Sequence, residues 1–156
     1  MKTTKYKVGQ SVVHLSYGIG TVKSIERREF SPNKVSEFYI LEIIDNGTPK
    51  KVFVPIEGAE ARLRPVMNKK TALSVLKYIE LGKDTSDIDH QTWNRRYRDY
   101  MELVHSGDAM QIAKVYVALQ ALRADKELSF GERKLLEQAR ELLTKELDAV
   151  GLSLPK

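Results

Sequence analysis

Phe38-Tyr39-Ile40-Leu41-Glu42-Ile43-Ile44-Asp45-Asn46-Gly47-Thr48-Pro49-Lys50-Lys51-Val52-Phe53-Val54-Pro55 carries two apolar runs, one on each side of Asn46-Gly47. β-Branched and aromatic residues fit the pleated surface of a strand. Asn and Gly both tolerate positive φ and close tight hairpins. The stretch therefore predicts two antiparallel strands, Phe38–Ile44 and Val52–Ile56. Phe38 through Ile44 puts apolar groups on both faces of one strand. One face would fill a small core, and the other must be covered by something else.

Working upstream, Val12-Val13 and Thr21–Ile25 have the same texture, separated by Gly18, Gly20 and the Ser31-Pro32-Asn33 break. Four or five short strands in the first 65 or so residues predict a small barrel of SH3 or Tudor type. Downstream, from Asn68, the apolar period changes to about 3.6. Leu73, Leu76 and Ile79 mark one face of a first helix, stopped by Gly82. Asp84–His90 is polar and aperiodic and reads as a linker. A second helix starts after Thr92, with Trp93, Tyr97, Tyr100/Met101 and Val104 on its face, and ends at Ser106-Gly107. Asp108 can cap a third helix, with Gln111 in capping-box position and a stripe of Ile112, Val115, Leu119 and Leu122. Ser129 through Glu132 is a second capping box. Leu135, Leu136, Ala139, Leu142, Leu143 and Leu147 follow in a fourth helix. The fold class is α+β, with a Tudor/SH3-like small β-barrel over 1–67 followed by a compact all-α helical domain over 68–156.

Composition bounds the function. The chain has 156 residues, 42% hydrophobic and 30% charged, so it can bury a core. It has no cysteine, which excludes a disulfide scaffold, thiol chemistry and thiolate zinc sites. Val115–Leu119 is about the longest apolar run, far short of a membrane span. The N-terminus lacks the apolar segment of a secretory signal. The expectation is a cytoplasmic protein without a membrane partner. His14, His90 and His105 stand in no metal-ligand spacing, and no GxxxxGK[ST] or GxSxG motif occurs. No enzyme, metal site or cofactor is expected.

Net charge is +5, concentrated in residues 1–67, which carry 11 Lys/Arg against 7 Asp/Glu. Residues 68–156 are nearly balanced, with 15 against 14, but hold one dense cluster. Thr92-Trp93-Asn94-Arg95-Arg96-Tyr97-Arg98 contains the only Trp and three arginines at the start of a helix. Helical spacing brings Trp93, Arg96 and Tyr97 together and sets Arg95 and Arg98 about 60° apart at about 100° per residue. The positive end of the helix dipole disfavours cations there. A cluster that breaks this rule is a candidate for an external polyanion. Arginine pairs with phosphate and enters narrow minor grooves, and an aromatic beside it can wedge against a base step. The structural alternative is that Trp93 packs in the helical core with arginines lying over it. Arg27-Arg28 likewise reads either as a contact or as a solvated strand edge.

Taken in order, several motifs resemble one family. They are Tyr6-Lys7-Val8-Gly9-Gln10-Ser11-Val12-Val13-His14, Tyr17-Gly18-Ile19-Gly20-Thr21-Val22 to Ile25-Glu26, and Val54-Pro55 with Leu63-Arg64-Pro65-Val66. Trp93 to Arg98 with Ser106-Gly107-Asp108 follows, then Leu128-Ser129 through Glu132, Ala139 and Glu146-Leu147. The chain resembles the CarD/CdnL family of bacterial RNA polymerase-binding transcription regulators over nearly its whole length.

The resemblance implies a Tudor-like polymerase-interaction domain that docks on the RNA polymerase β subunit, followed by a helical DNA-binding domain. It implies contact with promoter DNA at the upstream edge of the transcription bubble, largely independent of sequence, and a stabilised open complex. Trp93 falls at the minor-groove wedge position, and Arg95, Arg96 and Arg98 on or beside the basic DNA contacts. Arg28, with Arg27, Phe30 and Phe53, falls on the strands that face polymerase. The same barrel occurs in the transcription-repair coupling factor, whose Walker motif is missing here. The chain departs from the family's usual residues with Gln10 for Asp, Leu15 for Pro, Tyr17 for His, and Phe53 where Arg or an aliphatic residue stands. It resembles the short, stand-alone members and suits a cytoplasmic monomer, associated with the nucleoid through polymerase. The competing reading is a protein-only Tudor-like adaptor, with the helical domain as a second protein-docking surface.

Overall fold

The computed structural model describes residues 4–45, 47–82, 93–125 and 127–155. The chain divides into two compact units, 1–66 and 67–156. The division falls one residue ahead of the expected boundary, because Met67 is buried in the core of the helical unit. The expected linker at 84–90, with His90 and Thr92, lies outside the described residues.

The first unit is a five-stranded antiparallel sheet: β1 (Ser11–His14), β2 (Gly18–Ser31), β3 (Lys34–Asp45), β4 (Thr48–Pro55) and β5 (Leu63–Pro65). Its order is β4-β3-β2-β1-β5, and a 3-10 turn at Ala59–Ala61 leads into β5. A β-sheet of Tudor-like type is thus what the first part of the sequence builds, and helices follow it.

One face of β3 supplies the core. Tyr39, Leu41 and Ile43 pack with Tyr6, Val12, Val22, Val54, Ala59 and Leu63. Gly20 permits this closeness: a Cβ there would lie 2.6 Å from Ile43 Cγ1 and 3.0 Å from the Glu42 carbonyl oxygen. The N-terminal segment is held by backbone and side chain together. Tyr39 Oη accepts the N–H groups of Lys5 and Tyr6, and Gln10 Oε1 accepts the Lys7 N–H at 3.1 Å. Leu15 donates its N–H to the Arg62 carbonyl at 2.9 Å, a bond that proline could not make.

The β2–β3 hairpin extends well past the apolar residues that reveal it. Ser31 pairs with Lys34, so the predicted break at Ser31-Pro32-Asn33 is a tight turn inside one continuous hairpin. Pro fixes φ near −65°, and Asn33 at φ 71° supplies the left-handed position that follows. The outer ribbon around Arg27, Arg28 and Glu29 is charged and exposed, which hides it from an apolar-pattern reading. Pairing with β3 continues past these exposed side chains.

The second unit has four helices: α1 (Lys69–Leu81), α2 (Trp93–His105), α3 (Ala109–Asp125) and α4 (Phe130–Ala149). Asn68 Oδ1 caps α1 through the Thr71 N–H at 2.8 Å. The buried face of α1 is Ala72, Val75 and Ile79; Leu73 is exposed, one position off the expected stripe. Helix α3 is buried nearly all round, with Ala113, Val117 and Ala118 as well as Ile112, Val115 and Leu119. It packs against α1, α2 and α4 and forms the centre of the unit. Asp108 Oδ1 caps it, accepting from Met110 and Gln111. The Glu146 carboxylate is buried and accepts the Met67 N–H at 2.9 Å, tying the start of the unit to α4.

Candidate functional site

Two arginine-bearing surfaces stand out, one on each unit. The first lies on the sheet. Side chains alternate along a strand, so Arg27, paired with Glu37, and Arg28, paired with Ser36, project from opposite faces. Arg27 lines an open groove with Thr4, Val35, Glu37, Ile56 and Glu57. Arg28 projects from the face that Phe38, Ile40 and Phe53 share, since Ile40 pairs with Phe53 and Phe38 with Pro55.

The Arg28 guanidinium lies 4.9 Å from the Phe53 ring centroid. Strand β3 runs between β2 and β4, so the arginine must cross it to reach the ring. This supplies part of the cover that the second apolar face of β3 requires. Glu26 Oε2 accepts from Arg28 Nε at 3.2 Å and Nη2 at 2.9 Å and steadies the guanidinium. Phe53 remains 48% exposed. Arg28 and Phe53 therefore form one amphipathic patch, whereas Arg27 belongs elsewhere. Phe30 lies in β2, and its side chain lies outside the described residues. Strand β4 is an edge of the sheet, with β3 as its only neighbour among the described strands.

The second surface is the start of α2. The helix begins at Trp93, as the Thr92 boundary predicts; the Trp93 side chain lies outside the described residues. Arg95 and Arg98 are exposed. Arg96 is not grouped with them, in contrast to its expected place among the DNA contacts. Its side chain is 10% exposed, and Nη2 bonds Glu132 Oε2 of α4 at 3.2 Å. The reason is helical period: Arg96 stands one turn before Tyr100 and two before Val104, both buried.

Glu132 serves two partners. Its Oε1 accepts the Ser129 N–H at 3.1 Å, and Ser129 Oγ accepts the Glu132 N–H at 3.2 Å, completing the predicted capping box. Burial pushes the Glu132 carboxyl up, but the Ser129 hydrogen bonds and the Arg96 guanidinium more than offset this and hold it below its ordinary range. Beside this pair, the Tyr97 ring lies on Gly131, where a Cβ would meet Tyr97 Cε2 at 2.7 Å. Phe130 is 66% exposed at the same helix start, with Lys134 Nζ 5.0 Å from its ring centroid.

Spacing groups Tyr97 with Arg96 and marks Glu132 as a cap, but it misses that Gly131 and Glu132 meet Tyr97 and Arg96. The capping box marks Glu132 in the sequence, but its partner Arg96 lies 36 residues away. The usable signal is the Arg96, Tyr100, Val104 spacing, which places Arg96 on the buried face.

His14 is buried in the sheet unit. Its Nδ1 accepts the N–H groups of Ser16 and Tyr17 at 3.1 and 3.3 Å, holding the β1–β2 turn. Burial, and then the Arg62 charge, lower its pKa from the ordinary 6.5. Among the described residues, no group of three or more His, Cys, Asp or Glu could hold a metal, and no helix is long and apolar enough to cross a membrane.

These features define a protein of two compact units, each with its own core and its own exposed arginine-bearing surface. Residues 6–67 match the CarD-like/TRCF RID domain, and residues 74–152 match the CarD C-terminal domain. The chain belongs to the CarD family. It is 25% identical over 146 residues to the "Putative transcription factor YdeB" of Bacillus subtilis (strain 168), covering 93% of this chain and 92% of that one.

Proposed function

We propose that the protein is a non-catalytic transcription regulator of the cytoplasm that binds the RNA polymerase β subunit through its sheet and promoter DNA through its helical unit. The observation that carries this reading is the ordered match of both family domains, one along each compact unit. The Arg28–Phe53 patch and the neighbouring β4 edge would be the polymerase surface. An edge strand offers unpaired backbone groups, and Phe53 adds apolar area beside a cation. The start of α2 would be the DNA surface. Arg95 and Arg98 would hold phosphates, and Trp93 would stand as the wedge in the minor groove at the upstream edge of the bubble.

The mechanism is a two-site clamp. Docking on polymerase raises the effective concentration of the helical unit at the promoter, so weak DNA affinity suffices. With few phosphate contacts, that affinity falls with salt and is largely independent of sequence. The open complex gains stability only to the extent that the protein binds open DNA better than closed DNA.

The test is the decay of promoter open complexes, formed by housekeeping polymerase and challenged with competitor at fixed salt. Decay should slow with the wild-type protein and return to the unassisted rate with Trp93→Ala, while a pull-down of the β subunit persists. Unchanged decay with wild type, together with a positive pull-down, would favour the protein-only adaptor instead.

A further inference from the structure

The first turns of α2 and α4 meet at two adjacent points. Arg96 reaches Glu132, and Tyr97 lies on Gly131. Consecutive residues of one helix thus grip consecutive residues of the other. Arg96 Nη2 bonds the carboxylate, whereas Arg96 Nε is buried with no described hydrogen-bond partner. Among the described contacts, the grip includes one charged contact and one ring contact.

Arg95 precedes Arg96 and Arg98 lies two residues beyond it, so the angle at which both exposed guanidiniums leave the helix is set by how this turn is seated. Glu132 is also a negative charge placed under a cationic surface. A surface that held a polyanion by charge alone would be better without it. A carboxylate kept there and buried to 3% side-chain exposure acts on something other than net charge.

We propose that the Arg96–Glu132 pair, with the Tyr97–Gly131 contact, is a positioning latch that orients the start of α2 for DNA. Arg96 is a positioning residue and makes no phosphate contact. The proposal rests on the DNA-binding reading above and assigns Glu132, an acidic residue, a favourable role in binding an acidic ligand.

That sign is the test. Glu132→Gln removes the negative charge, yet Gln in this position still serves a capping box. Binding of the full-length protein to a fluorescein-labelled A·T-rich DNA duplex is measured by anisotropy across a salt series. The latch requires Glu132→Gln to bind several-fold more weakly, with the salt slope reduced by about 1 for each phosphate that the variant no longer holds. Equal or tighter binding, with Arg95→Ala/Arg98→Ala weakened, overturns the latch and leaves the DNA reading standing. If neither variant alters binding, the DNA reading itself fails and the latch with it.

A second variant separates positioning from direct contact. Arg96→Met/Glu132→Gln removes both charges, keeps the cap, and refills the buried site with an unbranched apolar chain. A loss no larger than the greater of the two single-variant losses, with helical circular dichroism intact, supports the latch, because the two residues then act as one unit. Losses that add make Arg96 an independent phosphate contact and overturn it.

Discussion

Among the described residues, two arginine–glutamate pairs are of similar length and opposite character. Arg28 and Glu26 meet at 2.9 Å with side chains 52% and 42% exposed. Arg96 and Glu132 meet at 3.2 Å with side chains 10% and 3% exposed. Distance would rank the first as stronger, and environment reverses the order. Water already solvates Arg28 and Glu26 and screens their attraction, so such a pair contributes about 0–1 kcal/mol. Arg96 and Glu132 have given up most of that solvation, so each depends on the other. The exposed pair is free to serve a partner; the buried pair serves the fold.

The sharpest way to break this contrast is Arg96→Met, which leaves Glu132 buried without its ionic partner. The expected loss is about 3–5 kcal/mol in the helical unit, read by urea unfolding with circular dichroism. A loss below about 1 kcal/mol would place Arg96 with the surface arginines. Next in size is Gly20→Ala in the sheet unit. The added Cβ must displace Ile43 or the β3 backbone, at an expected cost of about 1–3 kcal/mol. An unchanged midpoint would mean that the sheet opens there freely.

Acid titration sharpens the contrast between the units. His14 has a lowered pKa, so its contribution is complete above its ordinary value of 6.5 and is lost as pH falls from there through the folded value. Protonation also blocks the Nδ1 that accepts from Ser16 and Tyr17. Glu132 has a lowered pKa as well, so its contribution is complete above the ordinary 4.5 and is lost as pH falls through its depressed folded value. The sheet unit should therefore weaken at a higher pH than the helical unit. Amide resonances followed separately for the two units during titration would check the order, and simultaneous loss would contradict it. The smallest stability effect belongs to Arg28→Ala, at most about 1 kcal/mol. Its expected consequence is a weakened β-subunit pull-down, and an undiminished pull-down would move the interface off this patch.

How much is legible in the sequence follows from the range of each interaction. Asn46-Gly47 between apolar runs, Asn68, Asp108 and the Ser129–Glu132 box are local signals, and the elements they delimit appear beside them, although β4 starts at Thr48, four residues before the expected Val52, because its first residues are polar. The ribbon beyond Ile25 is not legible, since a hairpin held by ladder bonds between charged residues leaves no apolar pattern. The face of α1 reads one residue off because Leu73 is apolar yet exposed, while small Ala72 is what fits against the core. In the candidate site, composition suffices to find Arg95 and Arg98 as exposed residues. Arg96 reads as one of their group because sequence proximity outweighs helical phase when three arginines cluster. Only the fold brings residue 132 beneath residue 96.

Glu132 also couples two events that most helical proteins keep separate. Helix ends ordinarily fray in isolation, because little is packed against the first turn. Here Oε1 closes the first turn of α4 while Oε2 holds α2. Unwinding that turn removes the Glu132 contact of Arg96, and moving Arg96 away removes the guanidinium from Glu132. A single carboxylate thus ties the first turn of α4 to Arg96 of α2, so that a fold element 36 residues away is a partner of the same cap.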